Sequence, residues 1–152
     1  MPIHLENETL SIALPAGWVD QSDNDVLDFV NPSTNEELTI GFGQIKQCAD
    51  ARQLSGILWS LIESKAKAFG EISAGQFTVL DAVRPTRSIP SNGEFSGLDS
   101  KNSIYARVSV TGNLSQFISV SYYLHRCNAT SAETGARARA AIGMCRIKGL
   151  AA

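Results

Sequence analysis

Alternation of apolar and small residues predicts a β-strand near the start of the chain. Leu10, Ile12 and Leu14 are separated by small residues, a period of two that turns one face of a strand towards a core. Residues 3–14 are therefore predicted to form one strand, or a strand pair interrupted near Glu6. A Pro-Ala-Gly turn ends this stretch, because proline lacks the amide donor and glycine allows a sharp bend.

Similar patterns predict five further strands. They occupy residues 26–30, 37–42, 76–83, 103–111 and 114–124. Gly112 and Asn113 are expected to join the last two strands as a tight hairpin. Tyr122 and Tyr123 are adjacent near the end of the last strand, so one of the two must face outward.

Two segments show the three- and four-residue spacing of amphipathic helices. The first spans residues 49–69, with an apolar stripe made of Leu54, Ile57, Leu58, Leu61, Ile62 and Phe69. Gly70 is expected to end it in a left-handed cap. The second spans residues 130–146, where Thr130 and Glu133 have the spacing of a capping box.

The predicted order is three strands, a long helix, three strands and a final helix. This order lacks the β-α-β alternation of parallel nucleotide-binding sheets. We therefore expect one α+β domain over residues 1–152, with an antiparallel sheet of about six strands flanked by two main helices. The length of 152 residues is common for a single domain.

Residues 84–100 are predicted to form a long loop, because two prolines and two glycines interrupt them. A loop of this length inside a compact domain is uncommon and points to function or to mobility. Arg84, Arg87 and Phe95 are of types enriched at protein interfaces, so they are candidate partner-binding residues. A tolerated surface insertion is the alternative interpretation.

Composition narrows the function classes. Apolar residues make up 43% of the chain and charged residues 18%, which is enough for a full core. The net charge of −2 offers no basic field for nucleic acid. The first residues do not resemble a signal peptide and no stretch is long enough to span a bilayer, so we expect a cytoplasmic protein without a membrane partner. Three widely spaced cysteines argue against a disulfide framework.

Candidate catalytic and metal-binding residues form no recognisable motif. His125, Cys127 and Cys145 lack the paired spacing of a zinc site. The acidic stretch around Asp23 and Asp25 resembles the start of a calcium loop but lacks its glycine and distal glutamate. No nucleophile elbow or phosphate-binding loop is present. We therefore expect no cofactor, no metal and no enzyme, although a site assembled only by folding would escape these motifs.

The segment LSIALPAGWVDQS at residues 10–22 resembles the opening of the PsbP-like superfamily, which includes the Ran-binding Mog proteins and DcrB. In that superfamily a strand runs into a Leu-Pro-x-Gly-Trp turn, matched here by Leu14, Pro15, Gly17 and Trp18. The resemblance implies an antiparallel sheet packed between helices. Within the superfamily, the chain is most similar to the bacterial Eag proteins, the effector-associated chaperones of type VI secretion.

This resemblance implies a non-enzymatic protein-binding module whose partner is a secreted effector or toxin. An immunity protein that neutralises a cognate toxin is an open alternative, and so is self-association into a homodimer. A chaperone would use an apolar groove, for which Phe42 between two glycines and the adjacent Tyr122 and Tyr123 are candidates. An immunity protein would use a polar plug, such as the acidic loop at residues 20–25 or the loop at residues 84–100.

Overall fold

The computed structural model describes residues 1–148 and 150 of the chain and shows an α+β architecture with two helices and two antiparallel sheets. The strands before the first helix are β1 Ile3–Glu6, β2 Leu10–Leu14, β3 Val19–Asp20, β4 Leu27–Asn31 and β5 Glu36–Gln44. Helix α1 Ala51–Ile72 follows, and then β6 Phe77–Val83, β7 Ser91–Asp99, β8 Ile104–Gly112 and β9 Gln116–His125. Helix α2 Ala132–Gly143 and β10 Cys145–Ile147 complete the described elements.

The larger sheet has seven strands in the order β3-β4-β5-β9-β8-β7-β6, and the smaller has three in the order β1-β2-β10. The expected α+β class is confirmed, but the expected number of about six strands is too low. The break near Glu6 separates β1 from β2, and β3, β7 and β10 are additional. β3 and β10 span only two and three residues, too short for a period of two to be recognised.

The predicted long loop at residues 84–100 is wrong. Most of it is β7, which pairs with β6 on one side and β8 on the other. Phe95 lies in the middle of this strand and is only 2% exposed. The connection that remains covers residues 84–90.

Helix α1 begins where Asp50 accepts a hydrogen bond from the Gln53 amide at 2.9 Å. Its apolar stripe packs against β7 and β8, with Leu54, Leu58 and Ile62 buried. The helix continues past the predicted end at Gly70. It stops at Ile72, where a Ser73 cap is followed by residues in the left-handed region.

Helix α2 begins later than predicted. Ser131, not Thr130, is the N-cap: its side chain accepts from the Thr134 amide, and the Thr134 hydroxyl accepts from the Ser131 amide. The helix ends before Cys145, which belongs to β10. Ala138 and Ala141 are buried, so the backbone of the helix can lie close to the sheet.

The two faces of the large sheet are covered at different places. Helix α1 lies over β6, β7 and β8 on one face, whereas α2 and the small sheet cover the opposite face nearer β9. Alternate residues of β9 accordingly enter different cores, as Phe117 and Ile118 show. On the α1 side, the described chain therefore leaves a half-exposed surface where the helix ends and β9 and β5 continue.

Candidate binding groove

An apolar groove runs between the C-terminal half of α1 and the sheet. It consists of two adjoining cavities of about 260 and 210 Å³ that share Phe69, Ile72 and Tyr123. The remaining lining is contributed by Lys65, Ala68, Phe77, Ile104, Ala106, Val108 and Ser121, with Glu37, Asp99 and His125 at one end. Ile72 is 66% exposed at the rim. We call this feature the α1 groove.

Phe69 is the centre of an aromatic cluster in the floor of the α1 groove. Its ring stacks on Phe77 with centroids 5.1 Å apart and meets Phe95 and Tyr123 edge-on, each at 6.0 Å. Such pairs contribute roughly 0.5–1.5 kcal/mol beyond the burial of their area. The floor is therefore held in place by side chains from α1 and three strands.

Gly97 makes room for one wall of the α1 groove. A Cβ atom at this position would lie 2.2 Å from the ring of Phe77, which crosses the strand at that point. Gly43 leaves space in the same way for the ring of its β9 neighbour Phe117, which does not line the groove and which a Cβ atom would approach to 2.2 Å.

A row of ionisable side chains lies beside the groove on β9, β5 and β4. His125 Nε2 is 2.9 Å from Glu37 Oε1, and both side chains are partly exposed. Glu37 also interacts with Asp28 of the next strand. Burial, followed by a hydrogen bond with Glu37, raises the pKa of Asp28 to about 6. Asp28 therefore keeps its proton up to a slightly acidic pH.

Tyr123 joins this polar row to the apolar floor. Its pKa is raised, chiefly because the ring is buried, while hydrogen bonds with Ser121 and Thr39 act in the opposite direction. The phenol is therefore neutral at physiological pH and offers the groove both an aromatic face and a hydroxyl group. An apolar ligand with an occasional polar group fits such a surface.

The structure separates Tyr122 from Tyr123, as the alternation requires. Tyr122 is fully buried under α2, and its hydroxyl donates to Glu36 Oε2 at 2.7 Å. Arg137 of α2 holds the other oxygen of Glu36 at 3.3 Å. The suggestion that Tyr122 contacts a partner is therefore wrong, because no surface of this residue remains.

The other predicted partner-binding residues do not converge. Phe42 is 52% exposed, but it lies on the face of β5 opposite the α1 groove. Phe95 was predicted to contact a partner from a loop, but it is buried beneath α1 and offers no surface for such a contact. Arg84 and Arg87 lie on the short connection at residues 84–90, beside the N-terminal half of α1.

Sequence patterns did not identify most of the α1 groove. Phe69 belongs to the predicted helical stripe, where core packing was the straightforward interpretation. Ile72 and Ile104 fall at element ends that were predicted differently. Glu37 and His125 are far apart in sequence, and only the pairing of β5 with β9 brings them together.

Cys127 and Cys145 lie away from the α1 groove, in the core on the opposite face of the sheet. Cys127 is buried in the core on the α2 side and donates its thiol to the Ala129 carbonyl at 3.2 Å. Cys145 lies in the same core, where burial raises its thiol pKa to about 12. Within residues 1–148 and 150, no three His, Cys, Asp or Glu side chains are arranged to hold a metal ion.

The acidic loop after β3 uses its carboxylates to hold its own backbone. Asp20 accepts from the Ser22 amide at 2.8 Å, and Asp23 accepts from the amides of Asp25 and Val26 at 2.8 and 2.9 Å. Hydrogen bonds from the Ser22 side chain and amide lower the pKa of Asp20, and the two amide bonds lower the pKa of Asp23. The clustering of aspartates here is accounted for by turn formation.

No protein-family model matches the chain, and no curated protein sequence is significantly similar to it. Among the described residues, no helix is both long and apolar enough to cross a bilayer.

Proposed function

We propose that this chain is a non-enzymatic protein-binding module that holds an apolar helix of a secreted effector in the α1 groove, as a type VI secretion chaperone of the PsbP-like superfamily would. The observation that carries the proposal is an open aromatic groove with the side chain of Ile72 exposed at its rim. The resemblance of residues 10–22 to the Eag proteins supplies the type of partner.

The division of the groove suits side chains of a partner. It consists of two adjoining cavities of about 210 and 260 Å³. Two adjoining cavities suit anchors on one face of a helix, spaced three or four residues apart. Phe69, Ile72 and Tyr123 would then contact both anchors.

The polar row beside the groove supports a helix that carries occasional polar groups. The Tyr123 hydroxyl, the His125–Glu37 pair and Asp28 lie next to the apolar floor. A helix that buries one apolar side here could place serine, threonine or amide groups against them. Pairing those groups avoids the cost of burying polar atoms without partners.

An immunity protein remains the second candidate function. The observation in its favour is the arginine-bearing connection at residues 84–90, a polar surface that the α1 groove does not use. The acidic loop is a weaker candidate for contact with a toxin, because Asp20 and Asp23 already accept hydrogen bonds from backbone amides of the loop. Both functions require a protein partner, and they differ in what that partner is.

Co-expression with the neighbouring gene product tests the proposal. A chaperone should co-purify with an effector through the apolar N-terminal segments of that effector, and deletion of those segments should abolish capture. Capture that persists without them, together with loss of the partner's toxic activity on binding, would support the immunity function instead. Phe69→Ala in the groove should weaken capture only in the first case.

A further inference from the structure

A second cleft lies at the opposite end of α1 from the groove. Arg52 and Trp59 are on one side of the helix, with Gly56 between them at a spacing of four and three residues. Arg84 and Arg87 face them from the connection at residues 84–90, and the enclosed volume is about 170 Å³. We call this feature the arginine cleft.

The connection is fastened to the helix and to the sheet. The Ser55 hydroxyl donates to the Pro85 carbonyl at 2.8 Å, and Pro85 itself is buried. Gly93 of β7 leaves space for the proline ring, since a Cβ atom there would lie 2.7 Å from Pro85 Cγ. The backbone that carries Arg84 and Arg87 is therefore positioned before any ligand arrives.

Arg84 is held over the aromatic wall of the cleft. Its guanidinium carbon lies 4.6 Å from the centre of the Trp59 ring. Stacking of this kind uses the flat face of the guanidinium and leaves its N–H groups directed outward. The stack therefore fixes the orientation of the Arg84 guanidinium and leaves its N–H groups available to donate hydrogen bonds to a ligand.

None of the ion pairs among residues 1–148 and 150 involves Arg52, Arg84 or Arg87. By contrast, Arg107 is paired with Glu94 and Arg137 with Glu36. Three exposed guanidinium groups therefore converge on one small cleft, and no carboxylate of the described residues forms an ion pair with them. Like charges brought together in this way repel each other, and an anionic ligand would relieve the repulsion.

We propose that the arginine cleft binds a carboxylate-rich segment of a partner protein. Its donors come from three separate backbone positions on long side chains, which suits several carboxylates along a peptide better than one compact phosphate. Nucleic acid is bound along an extended basic surface, whereas these three arginines are confined to one small cleft. Guanidinium forks match carboxylates in two-bond geometry.

The arginine cleft is independent of the α1 groove. Trp59 and Phe69 are separated along α1 by roughly 15 Å at the rise of a helix. A partner could occupy either site or both. Loss of peptide binding at the cleft therefore leaves the proposed function of the groove intact, and the converse also holds.

Fluorescence anisotropy with a labelled oligoglutamate peptide tests this proposal. At low ionic strength the wild-type protein should bind the peptide, and added salt should weaken the complex. Arg52→Gln, Arg84→Gln and Arg87→Gln should each weaken binding about two- to fivefold, and the triple variant should abolish it. Arg84→Lys should also weaken binding, because lysine keeps the charge but lacks the planar fork.

Arg139→Gln is the matched control, since it removes the same charge from an exposed position on α2 and should leave binding unchanged. Circular dichroism and thermal unfolding establish that each variant is folded. Unchanged peptide binding by the triple variant would overturn the proposal. Tighter binding of an oligodeoxynucleotide of equal charge would overturn the assigned partner class. Displacement of the peptide by inorganic phosphate beyond its effect on ionic strength would instead show a site for a single anion, which also contradicts the proposal.

Discussion

The rings of Phe69 and Phe77 stack 5.1 Å apart, and this contact joins α1 to the outermost strand of the sheet. It forms only because Gly97, on the neighbouring strand, leaves the space that the Phe77 ring occupies. The wall of the α1 groove therefore depends on the lack of a side chain at Gly97 as well as on the rings of Phe69 and Phe77.

Gly97→Ala should destabilise the protein and disturb the groove. The added methyl group would lie 2.2 Å from the Phe77 ring, so the ring must shift from its position stacked on Phe69. Overpacking of this kind costs about 1–3 kcal/mol of the free energy of unfolding, measurable by urea denaturation. A stability equal to that of the wild type would show that Phe77 is not held over Gly97.

Gly70→Ala should increase the stability of the protein. Gly70 lies within α1, and a Cβ atom there meets nothing within 4 Å. Alanine in a helix interior is favoured over glycine by about 0.5–1 kcal/mol, so thermal and urea unfolding should both report a more stable protein. Destabilisation would instead indicate that the helix ends at Gly70 in a left-handed cap, as its sequence position first predicted.

Asp28→Asn should remove a pH dependence of stability. The pKa of Asp28 is about 6 in the folded protein and near 3.8 in a model peptide, so the folded state holds this proton more tightly than the unfolded state. The stabilising contribution of protonated Asp28 is complete below pH 4 and is lost as the pH rises through 6. Above pH 7 the asparagine variant should be more stable than the wild type by about 1–2 kcal/mol, allowing for partial exposure.

Urea denaturation at a series of pH values from 4 to 8 measures this difference. Asp25→Asn is the control, because Asp25 is an exposed acid in the preceding loop and should leave the profile unchanged. Parallel stability profiles for the wild type and Asp28→Asn across the whole range would contradict the raised pKa of Asp28.

Ser131→Ala should destabilise α2 by about 1 kcal/mol, because the Ser131 hydroxyl accepts from the Thr134 amide at the start of the helix. Thr130→Ala is a close control, since Thr130 precedes the cap. Thermal unfolding distinguishes the two positions. A larger loss of stability in Thr130→Ala than in Ser131→Ala would indicate that Thr130 is the N-cap, as the Thr130–Glu133 spacing predicted.

Periodicity alone predicts those strands whose side chains alternate between core and exterior. Leu10, Ile12 and Leu14 are all buried, and Tyr122 and Tyr123 separate onto the two faces as expected. Strand β7 was missed because its glycines are typical of turns. Gly93 and Gly97 leave space for Pro85 and for the Phe77 ring. Both of these residues lie outside β7, so the sequence of the strand itself does not indicate this role.

The α1 groove depends on topology that the sequence pattern does not contain. Alternation predicts that either Tyr122 or Tyr123 faces outward, but it does not predict which one, or that the C-terminal end of α1 lies beside Tyr123. That arrangement requires β9 to lie between β5 and β8, with the helix over β6, β7 and β8. The residues brought together by this pairing, such as Glu37 and His125, carry no motif that would link them in advance.

Titration of a dye-labelled, leucine-rich helical peptide with a polar tail is the most direct test of the α1 groove as a binding site for an apolar helix. The wild-type protein should bind the peptide, and Ile72→Gln should weaken binding about five- to tenfold, because Ile72 is exposed at the rim and would be buried in the complex. Val83→Gln makes a similar change at an exposed position on β6, on the face away from the groove, and should bind as the wild type does. Equal affinity of Ile72→Gln and the wild type, or equal weakening by the two variants, would contradict the account.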